Sequence, residues 1–327
     1  MSTSKILITG ITGQDGIFLS SNLIEKYGDV EIIGTTRSKA SSQFFNNYKQ
    51  ISNEDKLKRI NLIEIDLTNR EYVNKLIQEN KFDKIINLAG PSSVYESFSD
   101  SKKFKNTIIE QFDNLINSCI SNNTYPSFFQ ASSSEMFSSK ADLPLKENSL
   151  MEPRSPYAIA KYDLHKRIEK LKTEMNWNIK SGIMFNHESE FRNNNFLIMK
   201  IITTALSIQR GKAKKLVVGS IDYKRDWTHA YDIVDAISKI IYEEKPIDYV
   251  IGSGRSNSVL ELIKIVFSFL SLKYEDFLII DDSLLREGDP NEIVANPSLI
   301  NKNLGWSPKI NFENMVVRIL NYKINNS

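Results

Sequence analysis

A glycine-rich turn near the start of the chain limits the possible folds more than any other feature of the sequence. It reads Gly10-Ile-Thr-Gly13-Gln-Asp-Gly16 and lies between an apolar run at residues 5–9 and a segment, 14–27, with apolar residues at helical spacing. Glycines at a strand-to-helix turn let the backbone approach a pyrophosphate, whose charge then meets the N-terminus of the helix. The turn therefore predicts a nucleotide-binding α/β unit, and a tight turn without a nucleotide is the alternative.

The segments that follow alternate between strand and helix. Strands are predicted at residues 30–35, 62–65, 84–88 and 127–130, and helices at 70–80 and 104–121. This alternation predicts the α/β class, with a doubly wound parallel (Rossmann) sheet covered by helices on both faces. The less regular second half, with helices predicted at 196–210, 232–244 and 259–270, predicts a smaller C-terminal α/β domain. Residues 38–55 are polar with scattered aromatics, and we expect them to form an excursion from the sheet.

The counts of charged and metal-binding residues exclude several other classes. Among 327 residues, 42 Lys and Arg nearly balance 40 Asp and Glu, and no basic stripe indicates a nucleic-acid partner. One cysteine and three widely separated histidines leave little for a metal site. No window of about 18 apolar residues predicts a membrane span, and the first residues run straight into a strand without a signal peptide. We therefore expect a soluble cytoplasmic protein.

The residue at the end of the second predicted strand indicates which cofactor the turn holds. An NAD-binding unit places an acidic residue about 20 residues after the glycine turn, where it binds the ribose 2′-hydroxyl. This chain has Arg37 there and no acid. A guanidinium binds a 2′-phosphate by charge-assisted hydrogen bonds, so Arg37 favours NADP; a solvated surface arginine is the alternative. Asp66 and Leu67, after the third strand, are weaker candidates to flank the adenine, because an Asp there is often only a helix cap.

Four residues suited to proton transfer follow in the middle of the chain. Tyr157 and Lys161 are four apart after a proline, so they share a helix face. A nearby ammonium and a positive nicotinamide ring favour the phenolate, and we expect them to lower the pKa of Tyr157. Ser133 and Glu135 follow the predicted strand 127–130, at the edge where ligands bind in open α/β sheets. An elimination needs a general base and a general acid, which one glutamate can supply in turn; a surface carboxylate is the alternative.

Together these motifs resemble the extended short-chain dehydrogenase/reductase family, and within it the GDP-mannose 4,6-dehydratases, over nearly the whole chain. The resemblance rests on the glycine turn and on Ala131-Ser-Ser-Ser-Glu-Met-Phe137, Pro153-Arg-Ser-Pro-Tyr-Ala-Ile-Ala-Lys161, Phe185-Asn-His-Glu-Ser189 and Lys224-Arg-Asp-Trp227. The glycine turn and the segment 185–189 are specific to this subgroup. The resemblance implies a lyase that carries out NADP-dependent 4,6-dehydration of a GDP-sugar, with internal hydride transfer from C4 to C6.

The resemblance also implies roles for individual residues. Ser133 takes the place of the family's threonine, Glu135 is the acid/base and Tyr157 is the base at the C4 hydroxyl. Lys161 binds the ribose and modulates the pKa of the tyrosine. Cofactor contacts are expected from Gly10, Thr12, Gly13, Gln14, Asp15, Gly16, Arg37, Asp66, Leu67, Leu88, Ala89, Tyr157 and Lys161. Substrate contacts are expected from Asn186, Arg192, Leu197, Lys200, Arg225 and Arg286, which supply several cations for a diphosphate. His187 and His229 are interpreted as structural.

The family resemblance implies that the two halves of the chain bind different ligands. Residues 1–182 are predicted to bind NADP, with help from segments near 226–252, and residues 183–327 mainly to bind the nucleotide sugar. The family's assembly implies a homodimer or homotetramer.

Several positions depart from the family pattern. Pro91, Ser92 and Ser93 stand where the family usually has Gln-Ser-His, Phe137-Ser138 replaces Tyr-Gly, and Glu190 replaces a proline. We expect these three departures to lie near the sugar, so the substrate is GDP-mannose or another GDP-hexose or GDP-heptose.

Two other functions share part of this pattern. A nucleotide-sugar reductase or 4-epimerase would use Tyr157 and Lys161 but would not need Glu135. A non-catalytic regulator on the same fold would need none of these groups, yet all are present.

Overall fold

Strands and helices alternate along the chain, as the first half of the sequence predicts. The computed structural model describes residues 3–37, 41–285 and 288–326. The strands are β1 (Ser4–Thr9), β2 (Val30–Thr36), β3 (Ile60–Glu64), β4 (Lys84–Asn87), β5 (Ser127–Ser133), β6 (Ile179–Met184), β7 (His187–Glu188), β8 (Leu216–Val218), β9 (Lys224–Arg225), β10 (Thr228–His229), β11 (Tyr249–Ile251), β12 (Asn257–Ser258), β13 (Leu278–Ile280) and β14 (Glu292–Ile293). The helices are α1 (Gln14–Tyr27), α2 (Ser41–Ile51), α3 (Glu54–Leu57), α4 (Arg70–Glu79), α5 (Ser101–Ser121), α6 (Pro156–Met175), α7 (Leu197–Gln209), α8 (Ala230–Ile240), α9 (Val259–Phe269), α10 (Ser298–Leu304) and α11 (Phe312–Asn325).

Seven strands form one parallel sheet in the order β11-β6-β5-β4-β1-β2-β3. The predicted doubly wound parallel sheet is therefore confirmed. The central strand β1 has β2 on one side and β4 on the other, so the direction of winding reverses there. In open parallel sheets, ligands bind beside the carboxyl ends of the strands at such a reversal. The topology thus places the glycine turn, which follows β1, at the position where a ligand is expected.

Both faces of the sheet are buried under apolar helices. Ile6 and Ile8 of β1 point into a core shared with α1 and α8, whereas Leu7 points into a core shared with α4, α5 and α6. All three side chains are fully buried. Burial on two faces explains why β1 is a continuous apolar run rather than an alternating one.

A separate apolar core lies in the C-terminal part of the chain, where α7, α9 and α11 pack together with β8. This core confirms the predicted smaller C-terminal α/β region. The division is not sequential, because α8 and β11 come from the second half of the chain and pack on the first-half sheet. No helix in the described ranges is long and apolar enough to cross a membrane.

The expected excursion at residues 38–55 is mostly helical. α2 occupies 41–51, with Phe44 and Tyr48 buried against α1, and α3 begins at Glu54. The aromatics that looked scattered are therefore one buried helix face, since residues four apart lie on the same side. Residues 38–40 lie outside the described part of the chain.

Candidate active site

A cleft of about 830 Å³ runs along the carboxyl edge of the sheet. Most residues that the sequence predicts for the site line it: Gly10, Thr12, Gly13, Gln14, Asp15, Gly16, Arg37, Leu67, Leu88, Ala89, Ser133, Glu135, Tyr157, Lys161, Asn186, Arg192, Leu197, Lys200 and Arg225. Asp66 does not line this cleft, and Arg286 lies outside the described residues. The structure therefore brings together residues that are far apart in sequence.

The glycine turn is shaped by close backbone contacts. Gly10 has φ +67°, and a Cβ there would lie 3.0 Å from the backbone of Ala89. A Cβ on Gly16 would lie 2.4 Å from the backbone of Ile11, so this position excludes any side chain. Gly13 precedes α1 and provides no side-chain cap, which leaves the first N–H groups of the helix facing the cleft. Such a bare helix N-terminus beside a backbone cradle fits the pyrophosphate of a dinucleotide.

A buried polar ladder fixes the ends of the strands that surround this turn. Thr9 Oγ1 donates to Asn87 Oδ1 at 2.5 Å and accepts from the Ala89 N–H at 3.1 Å. Asn87 Nδ2 in turn donates to Gln130 Oε1 at 2.7 Å. Because β1, β4 and β5 are tied side by side, the residues that follow them keep fixed relative positions.

Arg37 and Asp66 share a pocket that adjoins the cleft. Arg37 is exposed, follows the last residue of β2, and lines both the cleft and a neighbouring pocket that includes Asp66. Asp66 Oδ1 accepts from the backbone N–H and the hydroxyl of Thr68, both at 2.9 Å. The carboxylate of Asp66 is therefore engaged in a local turn.

Ser133 and Glu135 sit at the end of β5, which is three residues longer than the predicted strand. The serine run is thus the end of the strand rather than a loop after it. Ser133 is the N-cap of a short 3₁₀ turn, and its Oγ accepts from the Glu135 N–H at 3.2 Å. The Ser133 side chain also hydrogen-bonds Tyr157. The turn places a hydroxyl and a half-buried carboxylate side by side in the cleft.

Tyr157 and Lys161 come from the first two turns of α6. Pro156 begins this helix, and Ser155 caps it by accepting from the Ala158 N–H at 3.0 Å. Lys161 Nζ donates to Ala131 O at 2.8 Å and lies 5.7 Å from the centre of the Tyr157 ring. The helix therefore presents both side chains to the end of β5.

The protonation of these two residues differs from the expectation. Burial raises the pKa of Tyr157 to about 12; the hydrogen bond from Ser133 opposes this shift, and the charge of Glu135 adds to it. Burial lowers the pKa of Lys161 to about 8. The expected lowering of the tyrosine pKa is therefore wrong for the protein alone, because desolvation of the phenolate outweighs the nearby charges. Lowering that pKa requires a bound ligand.

Replacing Lys161 with Met is expected to raise the melting temperature of the ligand-free protein at pH 7. The folded state holds a buried ammonium whose pKa is about 8, below the reference value of about 10.4. Ala131 O keeps a donor in the variant, since Gln130 Nε2 lies 2.9 Å away. The folded state of the wild type loses the penalised charge above pH 8, so the gain should shrink towards pH 10. Calorimetry of both proteins across this pH range checks the prediction, and a variant less stable at pH 7 would contradict it.

The predicted substrate residues lie on the other side of the cleft. Arg192 Nε is 3.3 Å from Glu188 Oε2, and its guanidinium lies over the Phe196 ring at 3.4 Å. Lys200 is exposed on α7, whereas Arg225 is buried. Arg225 Nη1 donates to Lys224 O and Pro290 O, and Arg225 Nη2 is 3.2 Å from Asp289 Oδ2. These cations are spread along one wall, as a diphosphate requires.

Among the cleft residues that the sequence analysis did not assign to the site, His187 and Glu188 are titratable and nearly buried. His187, interpreted as structural, lines the cleft with Glu188, and its Nε2 is 3.0 Å from Asp15 Oδ2. Both residues belong to the subgroup-specific segment 185–189. That specificity was a signal that could have assigned them to the site. His229, by contrast, is fully buried and caps α8 by accepting from the Tyr231 N–H at 3.0 Å.

The departures from the family pattern do not all reach the cleft. Pro91, Ser92 and Ser93 line it, but Phe137, Ser138 and Glu190 do not. Ser138 Oγ donates to Glu152 at 2.6 Å, and Glu190 pairs with His229 and Arg318. Two of the three departures that we expect near the sugar therefore lie outside the cleft lining, with Phe137 packed in a buried apolar cluster.

Comparison with known proteins identifies relatives along almost the full length. The family profile described as GDP-mannose 4,6 dehydratase matches residues 7–319. GDP-mannose 4,6 dehydratase 1 of Arabidopsis thaliana is 32% identical over 315 residues, covering 95% of this chain and 87% of the relative.

Solved structures share the fold at lower identity. RMD from Pseudomonas aeruginosa complexed with NADPH superposes with a TM-score of 0.81 at 20% identity, covering 99% of this chain and 100% of that one. The dTDP-glucose 4,6-dehydratase from Bacillus anthracis str. Ames, in complex with NAD, gives a TM-score of 0.82 at 21% identity, covering 99% and 97%.

Proposed function

The chain belongs to the GDP-mannose 4,6-dehydratase family, and we propose that it converts a GDP-sugar to the 4-keto-6-deoxy GDP-sugar. The substrate is GDP-mannose or a close GDP-hexose or GDP-heptose. The reaction oxidises C4, reduces C6 and releases one water, so the oxidation state of the sugar is unchanged overall. The enzyme is a hydro-lyase.

The cleft fits a nicotinamide dinucleotide, which supplies a hydride acceptor for C4 and a hydride donor for C6 when it is bound. The glycine turn cannot carry side chains at Gly10 or Gly16, and α1 presents bare N–H groups beside it. Two structural neighbours bind such cofactors, one NADPH and one NAD. Arg37 at the end of β2 supports NADP as the cofactor of this chain.

Replacing Arg37 with Asp is expected to weaken NADP binding and shift preference towards NAD. The variant exchanges a partner of the 2′-phosphate for a group that repels it, and hydrogen bonds to charged groups contribute about 1.5–3 kcal/mol. That range corresponds to a loss of roughly 10- to 150-fold in NADP affinity. Titration of both cofactors measures it, with Arg70→Asp, an exposed arginine outside the cleft, as control. Equal binding of NAD and NADP by the wild type would count against the assignment.

The residues of the cleft can divide the proton transfers between them. Tyr157 takes the proton of the C4 hydroxyl, and Ser133, hydrogen-bonded to it, shares the same oxygen. Lys161 holds the ribose and favours the phenolate by its charge. The ketone at C4 acidifies the hydrogen on C5, which Glu135 removes. Glu135 or Ser133 then gives a proton to the hydroxyl that leaves C6 as water.

The nucleotide diphosphate is proposed to bind the cleft wall that carries Asn186, Arg192, Leu197, Lys200 and Arg225. Arg286, which lies outside the described residues, stays a further proposed contact. We assign cofactor binding to residues 1–182 with the segments near 226–252, and nucleotide-sugar binding mainly to 183–327. The family resemblance supports a cytoplasmic homodimer or homotetramer.

One observation carries this proposal: a carboxylate, Glu135, shares a cleft with Ser133 and Tyr157. A reductase or epimerase has no use for a carboxylate there. The test incubates the protein with GDP-mannose and other GDP-sugars without added cofactor, and follows products by mass spectrometry. Loss of one water from any of them supports the proposal. Stoichiometric consumption of added NADPH would indicate a reductase, an isomer of unchanged mass an epimerase, and no product a regulator.

A further inference from the structure

The two subgroup-specific motifs of the sequence are hydrogen-bonded to each other. Gln14 Nε2 donates to His187 O at 3.1 Å, and Ser189 Oγ donates to Gln14 Oε1 at 2.8 Å. His187 Nε2 lies 3.0 Å from Asp15 Oδ2. We call Gln14, Asp15, His187 and Ser189 the clasp. It joins the first turn of α1 to the segment around β7, more than 170 residues later in the chain.

The contacts of His187 favour its charged form. Its Nδ1 is 2.8 Å from Phe185 O, and a carbonyl oxygen only accepts, so Nδ1 carries a hydrogen. Its Nε2 faces the carboxylate of Asp15, and an ionised carboxylate only accepts, so Nε2 carries a hydrogen too when Asp15 is ionised. A ring with both nitrogens donating is an imidazolium. The clasp therefore contains a buried ion pair in the wall of the cleft.

The surrounding charges agree with this assignment. Burial disfavours both ions, but their attraction prevails, so the pKa of His187 is raised and that of Asp15 is lowered. Arg192 opposes the charge of His187 and favours that of Asp15. Glu188, the other carboxylate beside His187, has its pKa raised by burial and is the weaker partner.

The clasp separates two parts of the cleft. On one side, Asp15 belongs to the helix N-terminus that faces the pyrophosphate site, where an unpaired carboxylate would repel phosphate. On the other side, Asn186 and Arg192 flank its members His187 and Ser189 on the proposed substrate wall. The clasp therefore joins the glycine turn directly to the segment that carries part of the proposed substrate wall.

We propose that the clasp is a positioning device in which the imidazolium of His187 neutralises Asp15 and locks the cofactor turn to the nucleotide-sugar wall. The inference rests on the proposed function only in requiring that both ligands bind in this cleft. The raised pKa of His187 extends the charged clasp to higher pH than a free imidazole would allow, and the clasp is lost as pH rises through that pKa. It also weakens when pH falls far enough to protonate Asp15.

The charge state can be measured without substrate. In protein labelled with ¹⁵N at histidine, NMR is expected to show both ring nitrogens of His187 protonated at pH 7.5. The chain has three histidines, and the spectrum of His187→Gln assigns the signal. In Asp15→Asn the ring should become neutral at the same pH. A neutral His187 ring in the wild type would overturn the proposal while leaving the dehydratase assignment intact.

The positioning role is tested on ligand binding. Asp15→Asn and His187→Gln should each weaken cofactor binding and raise the KM for GDP-mannose by roughly 10- to 100-fold, because small displacements of a site have effects of this size. The double variant should lose no more than the worse single one, since both break the same contact. Asp235→Asn, which breaks an ion pair with Lys26 at the opposite end of α1, should change neither value.

A less disruptive variant provides a second test if the ion-pair variants do not fold. Ser189→Ala removes the hydrogen bond to Gln14 and the longer one, 3.3 Å, that Ser189 Oγ accepts from the Phe191 N–H, and it leaves every charge in place. It should shift both ligand affinities in the same direction by a smaller factor. If these variants change the melting temperature but neither affinity, the clasp is only structural and the proposal is wrong.

Discussion

Tyr157→Phe is expected to lower turnover by about 10²- to 10⁴-fold, the usual contribution of a general base. The phenyl ring fills the same buried space beneath α6, so the fold and the affinity for the nucleotide sugar should change little. Only the hydroxyl that we propose takes the C4 proton is lost. Steady-state kinetics give turnover, and titration of the sugar nucleotide gives binding.

A second tyrosine on the same helix provides the control. Tyr162 is half-buried one turn further along α6 and does not line the cleft, so Tyr162→Phe should retain activity. Near-normal turnover by Tyr157→Phe would remove the tyrosine from the mechanism. In the wild type, the pH at half-maximal turnover shows how far bound ligands lower the pKa of Tyr157 from about 12.

Glu135→Gln is expected to separate oxidation at C4 from elimination. The amide keeps the size and hydrogen bonding of the side chain but cannot accept the C5 proton. Oxidation at C4 uses Tyr157 and does not need this carboxylate. The variant should therefore form the 4-keto sugar once, show the absorbance of reduced nicotinamide, and stall without releasing water.

Exchange of the C5 hydrogen with solvent tests directly whether Glu135 is the base. In deuterated water the wild type should exchange the C5 hydrogen, whereas Glu135→Gln should not. Glu188→Gln changes a buried carboxylate in the same cleft and should retain exchange. If exchange stops in the Glu188 variant and continues in the Glu135 variant, the base is Glu188 instead.

The sequence predicted those parts of the fold whose signals are local. α1 has the predicted bounds, because a glycine turn precedes it and its apolar residues keep helical spacing. β6 was missed, since Lys180 and Ser181 interrupt its apolar pattern although both are fully buried. Lys180 Nζ donates to Ser127 Oγ at 2.9 Å on the neighbouring strand, a partner that periodicity cannot show.

The site residues that the sequence predicted are likewise those with a local signal. Residues in spaced motifs, such as Tyr157 and Lys161, were found because four positions make one helical turn. The raised pKa of Tyr157 was not predicted, because it depends on burial by segments distant in sequence. The contact between Asp15 and His187 could not be predicted either. Each residue lies in a motif that can be interpreted by itself, and nothing in the sequence shows that the two motifs meet.

α8 and β11 come late in the chain but pack on the first-half sheet. The sheet therefore cannot be completed until both have been synthesised. When β6 has left the ribosome, its outer edge still lacks β11, and the apolar face of α1 around Ile17 and Phe18 still lacks α8. An open strand edge and an uncovered apolar helix are both sites of misassembly. The nascent chain therefore carries an incomplete seven-stranded sheet until residue 251 has emerged, and its open edge and bare helix face stay exposed until then.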